Sequence, residues 1–224
     1  MAFTAADVKK LREMTNVGMM DCKKALTEAD GDFDKAIELL REKGLAKAAK
    51  KADRIAAEGV VCATVCDDCG VGAIIEVNSE TDFVAKNADF QQFVTDLAGV
   101  VMKEAPADVE ALKTCKMGDL TVQEVLQEKV LTIGENIQIR RFDRFDESTV
   151  NVAYTHMGGV IGVLVGLQVS DNLKGNATVK ELGKDIGMQA AAMNPSFMDK
   201  SDVDEATLAK EKEILLAQAL EENK

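Results

Sequence analysis

The spacing of apolar residues changes near residue 60, and this change constrains the fold more than any other feature of the chain. Before it, apolar residues recur every three to four positions, as in the stripe Val8, Leu11 and Met14, a spacing typical of amphipathic helices. After it, short segments alternate between apolar and polar residues, as at Ala73 and Ile75, which is typical of strands. The sequence therefore predicts an α+β protein with a helical N-terminal part.

The N-terminal part is predicted to form three short helices, which together define a module over residues 1–45. Gly18 and the cluster at residues 30–32 interrupt the helical spacing, and Gly44 suits the left-handed position that often ends a helix. An alanine- and lysine-rich segment over residues 46–59 follows. We expect this segment to be a basic, helical and solvated linker.

Two antiparallel hairpins are predicted in the rest of the chain. The first turns at residues 67–70, and the second turns at Gly158 and Gly159, a strong two-residue hairpin signal. The second hairpin's register places His156 opposite Ile161, one pair from the hairpin end. At such a rim the histidine either contacts a partner or stays solvated. No nucleophile motif accompanies it, so we expect no catalytic residue.

Each hairpin is accompanied by predicted helices, so we expect a core of two α+β halves, residues 60–134 and 135–224. A slip in the alternation within residues 137–145 predicts a β-bulge. The helices of the core are predicted over residues 89–103, 122–131 and 177–193, and a final charged helix over residues 202–222.

Charge and hydropathy exclude several classes of protein. The formal net charge is −12, whereas a nucleic-acid binder must neutralise phosphates. The basic run at residues 47–54 contains no aromatic residue on which bases could stack, so we expect no nucleic-acid partner. The longest apolar stretch, residues 157–167, is far short of the roughly 20 residues that a membrane helix needs. No secretory signal is visible at the start. We expect a cytoplasmic protein without a membrane partner.

Five cysteines and one histidine limit the redox and metal chemistry of the chain. Cys66 and Cys69 have Cys-x-x-Cys spacing, and Cys62 lies four residues earlier. The carboxylates between the pair should raise the thiol pKa, and a zinc site needs four ligands. We expect structural or incidental thiols; the alternative is a cysteine-based redox or zinc-binding protein. No glycine-rich phosphate loop is present, so we expect no cofactor.

The segment Thr81, Asp82, Phe83 and Val84 places an aromatic residue in a polar stretch before a helix. In one reading, Thr81 or Asp82 caps the helix and Phe83 folds back onto the core. In the other reading, Phe83 is exposed beside a carboxylate and is a wedge that enters a site on a partner. Composition alone leaves both readings open.

Four segments of the chain, taken together, closely resemble the elongation factor Ts family. They occur in the family's order and span nearly the whole chain. They are residues 17–26 (VGMMDCKKAL), residues 76–86 (EVNSETDFVAK), residues 133–141 (IGENIQIRR), and residues 154–164 (YTHMGGVIGVL).

The resemblance implies a fold and a function. The implied fold is a ubiquitin-associated-like helical module joined to an α+β core. The implied function is that of a non-enzymatic guanine-nucleotide exchange factor, which binds elongation factor Tu in its GDP-bound and nucleotide-free states and promotes GDP release during translation. The family's Thr-Asp-Phe-Val stretch, which dislodges Mg²⁺ beside the partner's nucleotide, falls on Thr81, Asp82, Phe83 and Val84.

The resemblance also implies further contacts with the partner. The helical module is expected to dock through Val17, Met19 and Met20, and His156 is expected to touch another domain of the partner. Many relatives continue past residue 224 into a coiled-coil arm and a further core segment. A homodimer is therefore left open.

Overall fold

A computed structural model describes residues 3–15, 17–51, 53–146 and 150–222 of the chain. Within these ranges the side chains of residues 45–50 and 222 lie outside the description, and these include Lys47 and Lys50 of the basic run. The helices are α1 Ala5–Thr15, α2 Met19–Glu28, α3 Phe33–Lys51, α4 Asp82–Ala85, α5 Ala88–Glu104, α6 Val109–Thr114, α7 Val122–Ile133, α8 Ala177–Met193 and α9 Glu205–Glu222. The strands are β1 Glu58–Val65, β2 Gly72–Ser79, β3 Lys116–Met117, β4 Leu120–Thr121, β5 Gln138–Phe145, β6 Val150–His156 and β7 Ile161–Leu167.

Helices α1, α2 and α3 enclose a small hydrophobic core of their own. Leu11, Leu26 and Leu40 are buried in it, and Leu131 of α7 packs against it from outside. The predicted end of the third helix at Gly44 is wrong, because α3 continues to Lys51. Gly44 lies within this helix and faces α7, where a Cβ atom would make an ordinary contact with Leu131 Cδ2 at 3.4 Å.

The main core lies under a three-stranded antiparallel sheet with the strand order β1, β2, β5. Ala73, Ile75 and Val77 point from β2 into this core, where they meet apolar side chains of α5 and α7. The predicted bulge in β5 is confirmed. Glu76 pairs with Arg141 and Val77 pairs with Ile139, so that Arg140 is the extra residue. Strand β5 belongs by sequence to the predicted second half, residues 135–224. It nevertheless pairs with β2 of the first half and completes the three-stranded sheet.

The hairpin β6–β7 lies between this sheet and α8. Glycines permit the close packing on both sides, since a Cβ atom at Gly162 would lie 2.5 Å from Val61 Cγ1 and one at Gly183 would lie 2.5 Å from Val152 Cγ2. The predicted register is confirmed, with His156 opposite Ile161. The mixed architecture agrees with the predicted α+β class.

The turn of this hairpin differs from the predicted two-residue turn. Residues 157–160 form a longer loop, and Met157 adopts a left-handed conformation with φ of 52°. The loop bends toward β1, where the carbonyl oxygen of Gly159 accepts a 2.7 Å hydrogen bond from the backbone N–H of Val61. Docking onto β1 therefore replaces the tight turn that the glycine pair favours.

The final helix begins at Glu205, after a short 3₁₀ turn at Lys200–Asp202, instead of at residue 202. Asp199 caps that turn by accepting a 2.9 Å hydrogen bond from the N–H of Ser201. Apolar side chains along α9, such as Leu215 and Leu216, are exposed. No helix in the described part of the chain is both long enough and apolar enough to cross a membrane.

The close packing of α8 on the hairpin predicts opposite effects of two glycine substitutions. Gly183→Ala should lower the free energy of unfolding by about 1–3 kcal/mol, because the added methyl group collides with Val152. Gly99→Ala in α5 is the matched control, since nothing lies within 4 Å of a Cβ atom there. It should raise stability by about 0.5–1 kcal/mol through helix propensity. Urea titration measures the change in the free energy of unfolding of each variant. Changes of the same sign and size in both variants would contradict the packing argument.

Candidate functional site

Residues 81–84 form a rigid turn between β2 and α5. Thr81 is the N-cap of α4, and its side-chain oxygen accepts a 3.5 Å hydrogen bond from the N–H of Val84. Asn87 caps the next helix by accepting from the N–H groups of Asp89 and Phe90 at 2.8 Å and 3.2 Å. The prediction that Thr81 or Asp82 caps the long helix is wrong, because Asn87 caps α5 and Thr81 caps the short helix α4, which was not predicted. With both helix starts capped, the local backbone has little freedom to rearrange.

The ring of Phe83 points outward, and the side chain is 81% exposed. Its neighbour Val84 is half-buried and packs against the main core. The structure therefore excludes the reading in which Phe83 folds back onto its own core. Burying a phenylalanine side chain would stabilise the fold by about 1.5–3 kcal/mol. The fold forgoes that stabilisation and presents the ring to solvent.

Asp82, beside the exposed ring, forms an ion pair with Lys86 one helical turn later. Lys86 Nζ lies 2.7 Å from Asp82 Oδ2. This hydrogen bond, together with the charge of Lys86, holds the pKa of Asp82 below its usual range. Both side chains are exposed, so the pair contributes little to stability. Its effect is local: the turn presents an apolar ring next to a carboxylate whose charge is balanced.

Two carboxylates fix the base of this turn to the segment that follows α7. Glu135 accepts hydrogen bonds from the N–H groups of Glu80 and Thr81, both at 3.0 Å, and from the Thr81 hydroxyl at 2.6 Å. In return, Glu80 accepts a 2.6 Å hydrogen bond from the N–H of Asn136. We call this reciprocal arrangement of Glu80, Thr81, Glu135 and Asn136 the carboxylate clasp.

Basic side chains from the linker region bind to the same place. Arg54 lies 3.4 Å from the Glu80 carboxylate, and its carbonyl oxygen accepts a 2.8 Å hydrogen bond from the Asn136 side chain. Lys51 donates to the carbonyl oxygen of Gly134. These two cations of the predicted solvated run therefore bind the protein's own core. The sequence analysis assigned no role to Glu80, Glu135 or Arg54.

A groove of about 900 Å³ separates the helical module from the main core, and Phe83 lies on its rim. Met14 and Leu40 line it from the module, and Leu131 and Val125 line it from α7. Of these side chains Met14 is exposed, Val125 and Leu131 are half-buried and Leu40 is buried, so the open space is bordered by apolar residues of both cores. Such an arrangement is suited to receive an element of a partner protein.

The residues predicted for docking of the helical module separate into two groups. Met19 and Met20, which open α2, are 42% and 63% exposed. Val17 needs a correction, because its side chain is only 3% exposed and lies in the core of the three helices. It supports the surface from below and does not form part of it. Met14, 57% exposed, is an additional surface residue that the sequence analysis did not single out.

His156 is exposed at the end of β6 and contacts Tyr154. Its Nδ1 atom lies 2.9 Å from the Tyr154 hydroxyl, and the two rings stack with centroids 6.0 Å apart. The loop after His156 touches Val60 and Val61 of β1, whose pairing partners on β2 lie close to the end from which residues 81–84 leave. His156 and the turn therefore lie toward the same end of the sheet.

The cysteine pair lies at the other end of the β1–β2 hairpin. The expectation that nearby carboxylates raise both thiol pKa values is wrong for Cys66. The pKa of Cys66 is lowered, chiefly by a hydrogen bond from the Cys69 side chain and then by backbone N–H groups. Burial raises the pKa of Cys62. Among the described residues, no group of three or more histidine, cysteine or acidic side chains is arranged to hold a metal ion.

The carboxylate clasp predicts that Glu135→Ala loosens the turn. Three hydrogen bonds to a charged acceptor are lost, so the free energy of unfolding should fall by about 2 kcal/mol or more. The amide protons of Glu80 and Thr81 should exchange faster with solvent, as measured by NMR. Glu13→Ala, which removes an exposed pair with Lys9, is the matched control and should change neither quantity. Unchanged exchange at Glu80 and Thr81 in the Glu135 variant would contradict the clasp.

Comparison with known proteins shows the family to which the chain belongs. The family described as Elongation factor TS matches residues 80–224, which include the turn and the clasp. Elongation factor Ts of Clostridium perfringens (strain 13 / Type A) is 52% identical over 223 residues, covering 99% of this chain and 73% of that protein. Elongation factor Ts of Clostridioides difficile (strain 630) is 51% identical, covering 99% and 72%. Elongation factor Ts of a Nitratiruptor species is 47% identical, covering 100% and 74%. The chain belongs to the elongation factor Ts family.

Proposed function

We propose that this chain is a guanine-nucleotide exchange factor that binds elongation factor Tu and promotes release of its GDP during translation elongation. Membership of the elongation factor Ts family supports the partner and the activity. The observation that carries the mechanism is the exposed Phe83 on a doubly capped, clasped turn. In this proposal the chain makes or breaks no covalent bond and is not an enzyme. It acts by binding.

An exchange factor works only through a difference in affinity between two states of its partner. It must bind nucleotide-free elongation factor Tu more tightly than the GDP-bound form. Burying the Phe83 ring in the partner would contribute about 1.5–3 kcal/mol, which corresponds to roughly one to two decades in affinity. The turn is already capped and hydrogen-bonded to Glu135 in the free protein, so we propose that little of that energy is spent on ordering it.

We propose that residues 81–84 act by dislodging the Mg²⁺ ion beside the partner's nucleotide. Thr81 holds the turn, Val84 anchors it in the core, and Phe83 is the group that enters the partner. Asp82 brings a carboxylate close to the nucleotide phosphates. Loss of Mg²⁺ leaves the phosphate charges less neutralised and weakens nucleotide binding further. In this proposal the Phe83 ring thereby weakens nucleotide binding by more than the free energy of its own burial.

The rest of the differential affinity should come from a wide footprint. We propose that residues 1–45 are a docking module that uses Met14, Met19 and Met20, joined through the linker 46–59 to the core halves 60–134 and 135–224. His156, held by Tyr154, is proposed to contact a different domain of the partner. A homodimer, which the sequence analysis leaves open, is measured by light scattering on the same preparation.

The proposal predicts the effect of Phe83→Ala on GDP release. Release of fluorescent GDP from elongation factor Tu should be stimulated about ten- to hundredfold less than by the unmodified chain. The urea midpoint should stay unchanged, because the ring contributes little to the fold when 81% exposed. Met198→Ala is the control, since Met198 is 94% exposed and lies outside the proposed footprint. Full stimulation by the Phe83 variant would remove the wedge from the mechanism.

The Mg²⁺ step has a separate test. If the turn competes with Mg²⁺, stimulation of GDP release by the unmodified chain should decrease as the Mg²⁺ concentration rises. Phe83→Ala, which lacks the displacing ring, should depend much less steeply on Mg²⁺. Equal Mg²⁺ dependence of the two chains, with a lower rate for the variant, would leave Phe83 a binding residue and exclude its role against the ion.

A further inference from the structure

The turn that joins β1 to β2 brings Cys66 and Cys69 together on the surface. It is closed by a 2.8 Å hydrogen bond from the N–H of Cys66 to the carbonyl oxygen of Val71 and by a 2.9 Å bond from the N–H of Gly70 to that of Cys66. Gly70 adopts a left-handed conformation with φ of 71°, which a glycine accepts without strain. The turn is separated from the clasped turn by the eight residues of β2, a length of roughly 25 Å.

The two sulfur atoms of this turn are not equivalent. Cys66 Sγ accepts a 3.3 Å hydrogen bond from the backbone N–H of Cys69, whereas Cys69 is the more exposed residue. Both thiols are free. Residues i and i+3 of a tight turn have Cα atoms within about 7 Å, a separation that a disulfide spans. Asn151 anchors the turn through a 2.8 Å hydrogen bond to the carbonyl oxygen of Gly70.

The hydrogen bonds shift the two thiols in opposite directions. The pKa of Cys66 is lowered by the hydrogen bond from the Cys69 side chain and by the N–H groups of Cys69 and Asp68, which outweigh the charge of Asp68. The pKa of Cys69 is raised, chiefly because its side chain is the donor to Cys66. Cys66 is therefore the more acidic thiol of the pair and the one more readily deprotonated.

We propose that Cys66 and Cys69 form a reversible redox-modification site that a hydroperoxide converts to an intramolecular disulfide. The Cys66 thiolate attacks a peroxide oxygen, the O–O bond breaks, and hydroxide leaves as Cys66 becomes a sulfenic acid. The Cys69 sulfur then attacks the Cys66 sulfur, the S–O bond breaks, and the oxygen leaves as water with the Cys69 proton. Two electrons pass from the two thiols to one peroxide, and a small thiol or a dithiol reductase reverses the change.

A metal site is the other chemistry that Cys-x-x-Cys spacing suggests, and the structure favours oxidation over it. Structural zinc needs four ligands, and this turn offers two thiols. Cys62, the nearest further cysteine in sequence, lies 3.9 Å from the Thr95 hydroxyl on the helix-facing side of β1. The described residues contain no group of three potential ligands. Cys66 and Cys69 are therefore better suited to form a disulfide with each other than to bind a metal ion.

The test uses the full chain, treated with hydrogen peroxide after complete reduction. Five free thiols should fall to three, and peptide mapping without reductant should show one peptide that contains both Cys66 and Cys69 and has lost two hydrogen atoms. Dithiothreitol should restore all thiols. A disulfide that involves Cys62, or no loss of thiols at a peroxide concentration that oxidises free cysteine, would overturn the proposal. Reduced protein that retains one zinc ion per chain would also overturn it.

Two single variants test the order of the steps. In Cys69→Ser the hydroxyl and the backbone N–H still support the Cys66 thiolate, so dimedone should trap a sulfenic acid at Cys66. In Cys66→Ser, Cys69 has lost its partner and should react several-fold more slowly. Equal trapping rates in the two variants would contradict the assigned roles. Circular dichroism and the urea midpoint verify that both variants fold, and Cys115→Ser, which leaves the pair intact, should still form the disulfide.

Discussion

The presentation of Phe83 depends on one arrangement, the carboxylate clasp between residues 80–81 and 135–136. An aromatic ring held in water tends to collapse onto the nearest apolar surface, because burial of the ring is favourable. Here the backbone below the ring is fixed from both sides, since Glu135 binds the N–H groups before α4 and Glu80 binds the N–H of Asn136. Val84 packs against the core while the preceding residue, Phe83, is exposed to solvent.

The clasp also joins parts of the chain that are distant in sequence. Arg54 comes from the segment after the helical module and pairs with Glu80, and Lys51 at the end of α3 binds the carbonyl oxygen of Gly134. The module thus meets the core at the base of the exposed turn. A groove with apolar walls results, with the ring on its rim. The proposed partner footprint spans both sides of this groove, because no single side chain supplies the difference in affinity that nucleotide exchange requires.

The sheet and its hairpins place two chemically different turns at opposite ends of β2. One end carries the clasped turn and lies near the loop that follows His156. The other end carries Cys66 and Cys69, where the Cys69 side chain and backbone N–H groups lower the pKa of the Cys66 thiol. Since β2 is the central strand, bonded to β1 and β5 along its length, both turns rest on the most constrained element of the core.

The sequence by itself determined most of the periodic elements, the register of the β6–β7 hairpin and the bulge in β5, because each depends on neighbours in the chain or on one buried face. The motifs around residues 76–86 and 133–141 also identified the family from sequence alone. Only the tertiary structure decided the direction of the Phe83 ring, the burial of Val17, the continuation of α3 past Gly44 and the lowered pKa of Cys66. These depend on contacts between distant segments, such as Gly44 with Leu131 and Glu80 with Asn136, and on backbone N–H directions that no residue type reveals.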